Sequence, residues 1–306
     1  MNELELIERI RRRVGSAPGG GVALGIGDDC AVFRPRPGRD LLLTTDMLIE
    51  DVHFRAATHP AEAVGHRALA RGLSDIAAMG GTPRLALVSL ALAPWSDRKW
   101  VDGFYGGFLR LARRTGTALA GGDLTRSQRV SCDVVVVGEV PRGKALRRDG
   151  ARVGDAIYAS GRLGASALGL ARGAGAAWKI HLRPEPRLAL GRFVREKLRA
   201  TAAMDLSDGL SIDLHRLCRA SGVAAALDGK LPVYRGATLE QALHGGEDYE
   251  LLFTVREKVR VPARIAGVPV ARIGTVVKGT PGKVTLAGQA LSVGGWDPFR
   301  GSSPEN

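Results

Sequence analysis

Segments of strand character and helix character alternate along the first half of this chain, and that alternation restricts its fold more than any other feature. Residues 41–45 (LLLTT) read as strand, 60–79 as a helix halted by Gly80 and Gly81, and 85–92 as strand. Residues 96–114 then read as helix, 118–120 as a short strand and 130–140 as a β-rich run. The second half repeats the habit, with strands at 155–160, near 202 and at 249–255, and helices at 164–172, around 187–198 and at 207–220. Such alternation predicts an α/β protein. The Gly- and Arg-rich stretch PRGKALRRDGARVGD separates the halves, so we place a domain boundary near residue 145, giving domains 1–145 and 146–306. The length of 306 residues agrees with this division, because a domain occupies roughly 150 residues.

Composition removes several classes of function. With 45% hydrophobic and 25% charged residues the chain is of ordinary globular type. No apolar run approaches the roughly 18–20 residues of a membrane helix, and the N-terminus opens with acids (MNELELIERIRRR) rather than as a signal peptide. We therefore expect a cytoplasmic protein with no membrane partner. Cys30, Cys132 and Cys218 lie far apart and suit neither a disulfide framework nor a zinc pair. The net charge of +13 raises the question of nucleic acid. Yet the cations are dispersed, Arg11, Arg12 and Arg13 occupy the polar side of a segment whose other side is Leu4, Leu6, Ile7 and Ile10, and the few aromatics do not interleave with them. No nucleic-acid partner is expected, and absence of a salt-dependent shift with DNA or RNA checks this.

Two phosphate motifs fail on inspection. Gly138–Lys144 (GEVPRGK) has P-loop spacing, but Pro141 interrupts the loop and Ala145 stands where a magnesium-binding Ser or Thr belongs. GIGDDC at 25–30 carries acids where a pyrophosphate needs backbone donors. What recurs instead is acid beside glycine or at the end of an element: Asp28 and Asp29, Asp46, Asp75, Asp123, Asp205 and Asp208, Glu247 and Asp248. Each has a structural alternative as a turn former, as a helix cap (Ser207, Asp208) or, for Asp75, as the i,i+4 partner of Arg71. Together, in a basic chain, they point to hard cations, because two unit charges 4 Å apart repel by about 4 kcal/mol at an effective dielectric of 20. Oxygen ligands without His or Cys favour Mg²⁺, which commonly shares phosphate co-ligands. Arg148 can meet a nucleotide phosphate. The residues alone thus predict a magnesium-dependent site for a phosphorylated ligand.

Six blocks in order, GIGDDCAV, LLTTDMLIEDVHF, HRALARGLSDIAAMGGTP, LAGGDLTRS, MDLSDGLSIDLHRLC and GGEDYELLFTV, resemble the thiamine-monophosphate kinase family, within the aminoimidazole ribonucleotide synthetase-like superfamily. The resemblance covers nearly the whole chain. It implies a two-domain α/β fold (mixed α+β) of that superfamily, a homodimer joined through N-terminal-domain strands, and ATP held without a P-loop. The reaction implied is transfer of the γ-phosphoryl group of ATP to thiamine monophosphate. By motif position Asp29, Thr44, Thr45, Asp46, Asp75, Asp123, Asp205 and Asp208 bind several Mg²⁺ ions. Gly122, Asp123, Arg148 and Ser207 contact ATP, and His53, Glu247 and Trp296 contact the substrate. No covalent nucleophile or general base is implied, the chemistry being metal-assisted through Asp46, Asp75, Asp123 and Asp208. Trp296 has a second reading, as packing for the C-terminal segment, and His53 one as a surface histidine. Another ATP-dependent enzyme of the superfamily, acting on an amide, carbamoyl or selenide acceptor, is the alternative.

Overall fold

The structure, a computed structural model, describes residues 3–15, 19–27 and 30–297. The chain divides into two compact units, Met1–Ala145 with Leu182–Leu188, and Leu146–His181 with Ala189–Asn306.

The first unit runs α1 (Glu3–Val14), β1 (Val22–Leu24), β2 (Val32–Phe33), β3 (Arg39–Ile49), α2 (Ala61–Ala78), β4 (Thr82–Leu92), α3 (Arg98–Thr115), β5 (Ala118–Arg126) and β6 (Ser131–Pro141). Its four-stranded sheet has the order β3-β6-β4-β5, parallel only between β4 and β5. The β-branched run VVVV makes β6 a buried central strand. In β3, by contrast, Leu41, Leu43, Thr45 and Met47 are exposed while Leu42 and Leu48 are buried, the alternation of a strand with one face packed.

Helix α2 covers the packed face and is held close to α3 by glycines. A Cβ at Gly65 would lie 1.9 Å from the Phe104 carbonyl oxygen, and one at Gly107 1.9 Å from that of Glu62. Helix α3 starts at Asp97, whose carboxylate accepts the Trp100 N–H (2.8 Å), and stops at Gly116 in the left-handed conformation. Strand β5 extends to Arg126, well beyond the short stretch expected at 118–120. Gly121 and Gly122 discourage a strand on propensity, but pairing along β4 extends it through them.

A buried ion pair pins β4 to β6. Glu139 Oε2 accepts from Arg84 Nε at 2.9 Å and Oε1 accepts the Arg36 N–H at 3.1 Å. With the Glu139 side chain 3% exposed, Glu139→Ala leaves a buried guanidinium without its counter-charge, and we expect a loss of about 3–5 kcal/mol. Chemical denaturation measures this, and the paired replacement Arg84→Met/Glu139→Met should lose less than either single change.

The segment Leu182–Leu188 belongs to the first unit. The ring of His66 in α2 donates from Nε2 to the Pro184 carbonyl (2.8 Å), and Arg114 in α3 pairs with Glu185 (2.6 Å). Burial, reinforced by Arg114, Arg183 and Arg67 and opposed by the bond to Pro184, lowers the His66 pKa to about 4. Because the folded value lies below the unfolded one, the unfolded chain takes up the proton first as pH falls. Stability is therefore full above about pH 6.5 and is lost by roughly 3 kcal/mol on descending to pH 4. Urea midpoints measured at both pH values should differ less in His66→Gln than in the parent.

The second unit contains β7 (Asp155–Ser160), α4 (Ala165–Arg172), α5 (Gly175–Leu182), α6 (Leu188–Phe193), a π-helical turn (Val194–Leu198), β8 (Ala202–Leu206), α7 (Leu210–Ser221), β9 (Ala224–Leu227) and α8 (Leu239–His244). It ends with β10 (Glu250–Arg256), β11 (Arg264–Ile265), β12 (Val268–Val277), β13 (Val284–Leu286) and β14 (Gln289–Ala290). The sheet order is β14-β13-β9-β12-β7-β10-β8, with β11 on β12. Its core gathers Ile157, Leu163, Met204, Leu214, Leu217, Leu252 and Ile273. The helix expected from Ser207 begins later. Gly209 is its N-cap, at φ 122°, and no side chain caps it, which leaves Ser207 and Asp208 in the preceding turn.

Candidate functional site

In the first unit the expected residues fall on two faces of one sheet. Thr44 and Asp46 face α2, where the Thr44 hydroxyl donates to Asp75 Oδ2 and Arg71 bonds Asp46 Oδ1 through Nη2 (3.1 Å) and Nε (3.3 Å). Positions 71 and 75 are one turn apart on the helix and 44 and 46 two apart on the strand, so each pair shares a face. Gly72 permits the contact, since a Cβ there would meet Val136 Cγ2 at 2.7 Å and Thr44 Cγ2 at 3.5 Å. Thr45 points the other way and donates to Asp133 at 2.5 Å. On that opposite face Asp133 and Asp123 flank Ser89 in register.

A cleft of about 970 Å³ opens beside β5, lined by Gly25, Gly27, Ser89, Gly121, Gly122 and Asp123. Gly122 carries no substituent for a plain reason. A Cβ would sit 1.9 Å from the Val88 carbonyl oxygen. Asp123 Oδ1 accepts the Leu124 N–H at 2.9 Å. Asp28 and Asp29 follow Gly27 in the sequence and lie outside the described residues. His53 ends the turn after β3, where its Nδ1 accepts the Ile49 N–H at 3.1 Å; in the neutral ring this places the proton on Nε2.

In the second unit, four expected residues are laced together by backbone bonds. Glu247 N–H donates to the Ser207 carbonyl at 2.6 Å and Trp296 N–H to that of Asp208 at 3.0 Å. Glu247 and Tyr249 both adopt positive φ, 56° and 50°, next to Gly246 at 67°. Non-glycine residues hold such conformations only when their surroundings fix them, and they concentrate at functional sites. The Asp208 carboxylate pairs with Arg216, which also bonds Asp213 Oδ1 at 3.0 Å. Asp205 is buried on β8, in register with Leu251 of β10. Arg148 is exposed, its carbonyl accepting from Ser221 Oγ at 2.8 Å. Trp296 is about half exposed.

Two groups, Asp213 and His181, were not among the expected site residues, and a third, Asp248, was singled out only as a glycine-flanked acid. Asp213 accepts the N–H groups of Asp208 (3.0 Å) and Gly209 (3.1 Å), and burial raises its carboxyl to about 6. Asp248 accepts those of Gly164 (2.6 Å) and Ser166 (3.1 Å); desolvation raises its carboxyl to about 7 against the pull of those donors. His181, stacked on Trp178 with centroids 5.0 Å apart, lies 3.7 Å from Glu247 Oε2 and 2.8 Å from Ser166 Oγ. The sequence carries a signal for the two aspartates, both beside glycine-rich acid motifs, and none for His181.

Among the described residues no three His, Cys, Asp or Glu side chains meet as a group able to hold a metal ion. The donor chemistry nevertheless suits a hard cation, since the Thr44, Asp46 and Asp75 cluster offers oxygen alone and already contains one cation, the Arg71 guanidinium. No described helix is long and apolar enough to cross a membrane.

Comparison with known proteins identifies relatives of the whole chain. Residues 27–140 match the N-terminal domain of the AIR synthase related proteins and residues 152–287 their C-terminal domain. The thiamine-monophosphate kinase of Salmonella typhimurium is 40% identical over 296 residues, covering 89% of each chain. The crystal structure of thiamine-monophosphate kinase from Stenotrophomonas maltophilia K279a superposes with a TM-score of 0.81 at 36% identity, over 95% of this chain and 98% of the other. That of AaThiL complexed with AMPPCP and TMP superposes at 0.78 with 32% identity, over 97% of both. Sequence and fold are similar over nearly the full length, and the chain belongs to the thiamine-monophosphate kinase family.

Proposed function

We propose that this protein transfers the γ-phosphoryl group of ATP to the phosphate of thiamine monophosphate, giving thiamine diphosphate and ADP. The observation that carries the reading is its likeness over 97% of its length to a structure complexed with AMPPCP and TMP. In this reading residues 1–145 supply metal, nucleotide and dimer contacts, and residues 146–306 supply the remaining nucleotide and substrate contacts. The protein acts in the cytoplasm as a homodimer.

The attacking atom is a phosphate oxygen, already anionic near neutral pH, so no side chain has to remove a proton. The barrier is the mutual repulsion of donor and acceptor, which positioning and charge neutralisation lower. Thr44, Asp46 and Asp75, with Asp29, Thr45, Asp123, Asp205 and Asp208, are the oxygen donors that would hold several Mg²⁺ ions. When bound, those ions neutralise phosphate charge and align donor with acceptor. Gly122 brings backbone close to the nucleotide, with Asp123, Ser207 and Arg148 as its further contacts. His53 presents its Nε2–H to the substrate. Glu247, held by its constrained backbone, meets the substrate with a carboxylate, and the Trp296 ring suits the flat cationic thiazolium, a contact worth roughly 0.5–2 kcal/mol.

³¹P NMR of the protein with thiamine monophosphate, ATP and Mg²⁺ tests the reading. Thiamine diphosphate resonances should grow with ADP and be abolished by EDTA. ATP left intact, or hydrolysed with thiamine monophosphate untouched, overturns it.

A further inference from the structure

We infer that Arg71 is an internal counter-cation for the Asp46–Asp75 pair: it occupies the negative field of the site before a divalent ion arrives and thereby sets how tightly the resting protein binds that ion. The inference rests on reading Asp46 and Asp75 as cation ligands.

Three observations support it. Arg71 reaches Asp46 across the interface of α2 and β3, and the side chains are only 15% and 22% exposed, so water screens the pair weakly. Its two bonds to Asp46, at 3.1 and 3.3 Å, end on the single oxygen Oδ1. That is not the bidentate fork by which arginine binds carboxylate most firmly, and a divalent ion can displace it. Third, Asp75 stands one helical turn from Arg71 and is bonded to Thr44, which places two carboxylates, a hydroxyl and one guanidinium in a single layer. Among the described residues of this layer one positive charge stands beside two negative ones, so Arg71 lowers the negative charge that a bare divalent ion meets. A cation carried by nucleotide phosphates brings its own counter-charge and is admitted. Arg71 is thus a positioning residue that couples cation loading to nucleotide arrival.

The test is Mn²⁺ binding followed by EPR on the full-length protein without nucleotide. Removing the guanidinium charge in Arg71→Gln should tighten binding by about tenfold, because a like charge within a few ångströms of the ion is lost. Arg71→Lys keeps the charge and should stay near the parent, and with AMPPCP present the variants should converge. Binding by Arg71→Gln that is unchanged or weaker overturns the inference, as does an equal change in Gln and Lys variants, which would mark a packing role. In the unsubstituted protein, the ¹⁵Nε–Hε resonance of Arg71 should shift on addition of Mg²⁺ alone at high concentration; a resonance that stays fixed also overturns it. Failure of the underlying reading looks different: the parent binds no Mn²⁺, or Asp46→Asn binds as the parent does.

Discussion

Asp46→Asn should lower turnover by roughly 10²–10³-fold, the range seen when one electrostatic element aimed at developing charge is removed. The expectation follows from the local charge balance. Among the described residues Asp46 and Asp75 together outweigh Arg71 in the parent, whereas in the variant the Arg71 guanidinium faces Asp75 as the one remaining carboxylate of that pair. Asparagine can still accept the Arg71 bond through its amide oxygen, so the fold should be retained and a thermal melt should move by little. The loss should appear in kcat together with a raised requirement for Mg²⁺. Unchanged magnesium-dependent turnover would remove Asp46 from the metal site. Asp75→Asn offers a parallel check, with the added loss of a charged acceptor for the Thr44 hydroxyl.

The second large effect concerns packing. Gly65→Ala adds a methyl group 1.9 Å from the Phe104 carbonyl oxygen and 2.7 Å from its carbonyl carbon, and both are backbone atoms that no rotamer change can move. Helices α2 and α3 must separate, and the cost should be about 3 kcal/mol or more, at the upper end for overpacked interiors. Gly107 makes the reciprocal contact on Glu62, so Gly107→Ala should behave alike, and the double variant should lose less than the sum because one separation relieves both clashes. Differential scanning calorimetry and denaturant titration measure these losses. An alanine tolerated at either position with an unchanged melting temperature would contradict the helix contact. Since α2 carries Arg71 and Asp75, the same shift should also weaken cation binding.

Much of this organisation was legible before any coordinates. The valine run of β6 and the one-sided alternation of β3 follow from strand periodicity. Helices α2 and α3 lie within two residues of their expected limits, with Gly80 and Gly81 marking the end of α2. Other features depend on partners distant in sequence. Strand β5 continues through Gly121 and Gly122 only because β4 lies alongside, and the AAAL of β9 has no strand pattern of its own until β12 and β13 flank it. Strand β12 contains Pro269, which argues against a strand on propensity. The site shows the same division. Glycine-flanked acids are visible along the chain, but Arg71 read locally as the i,i+4 partner of Asp75, and its bond to Asp46, 25 residues away, exists only after helix and strand have packed.

The placement of Leu182–Leu188 with the first unit also governs how the polypeptide is made. A ribosome that has released residues 1–145 has delivered every strand of the β3-β6-β4-β5 sheet, yet neither the Pro184 carbonyl that His66 requires nor the Glu185 that faces Arg114. The nascent first unit therefore cannot be completed until 188 residues have emerged, and by then β7, α4 and α5 of the second unit are already outside the tunnel. The two units are written into the message as interleaved clauses, and translation must run well into the second before the first can close.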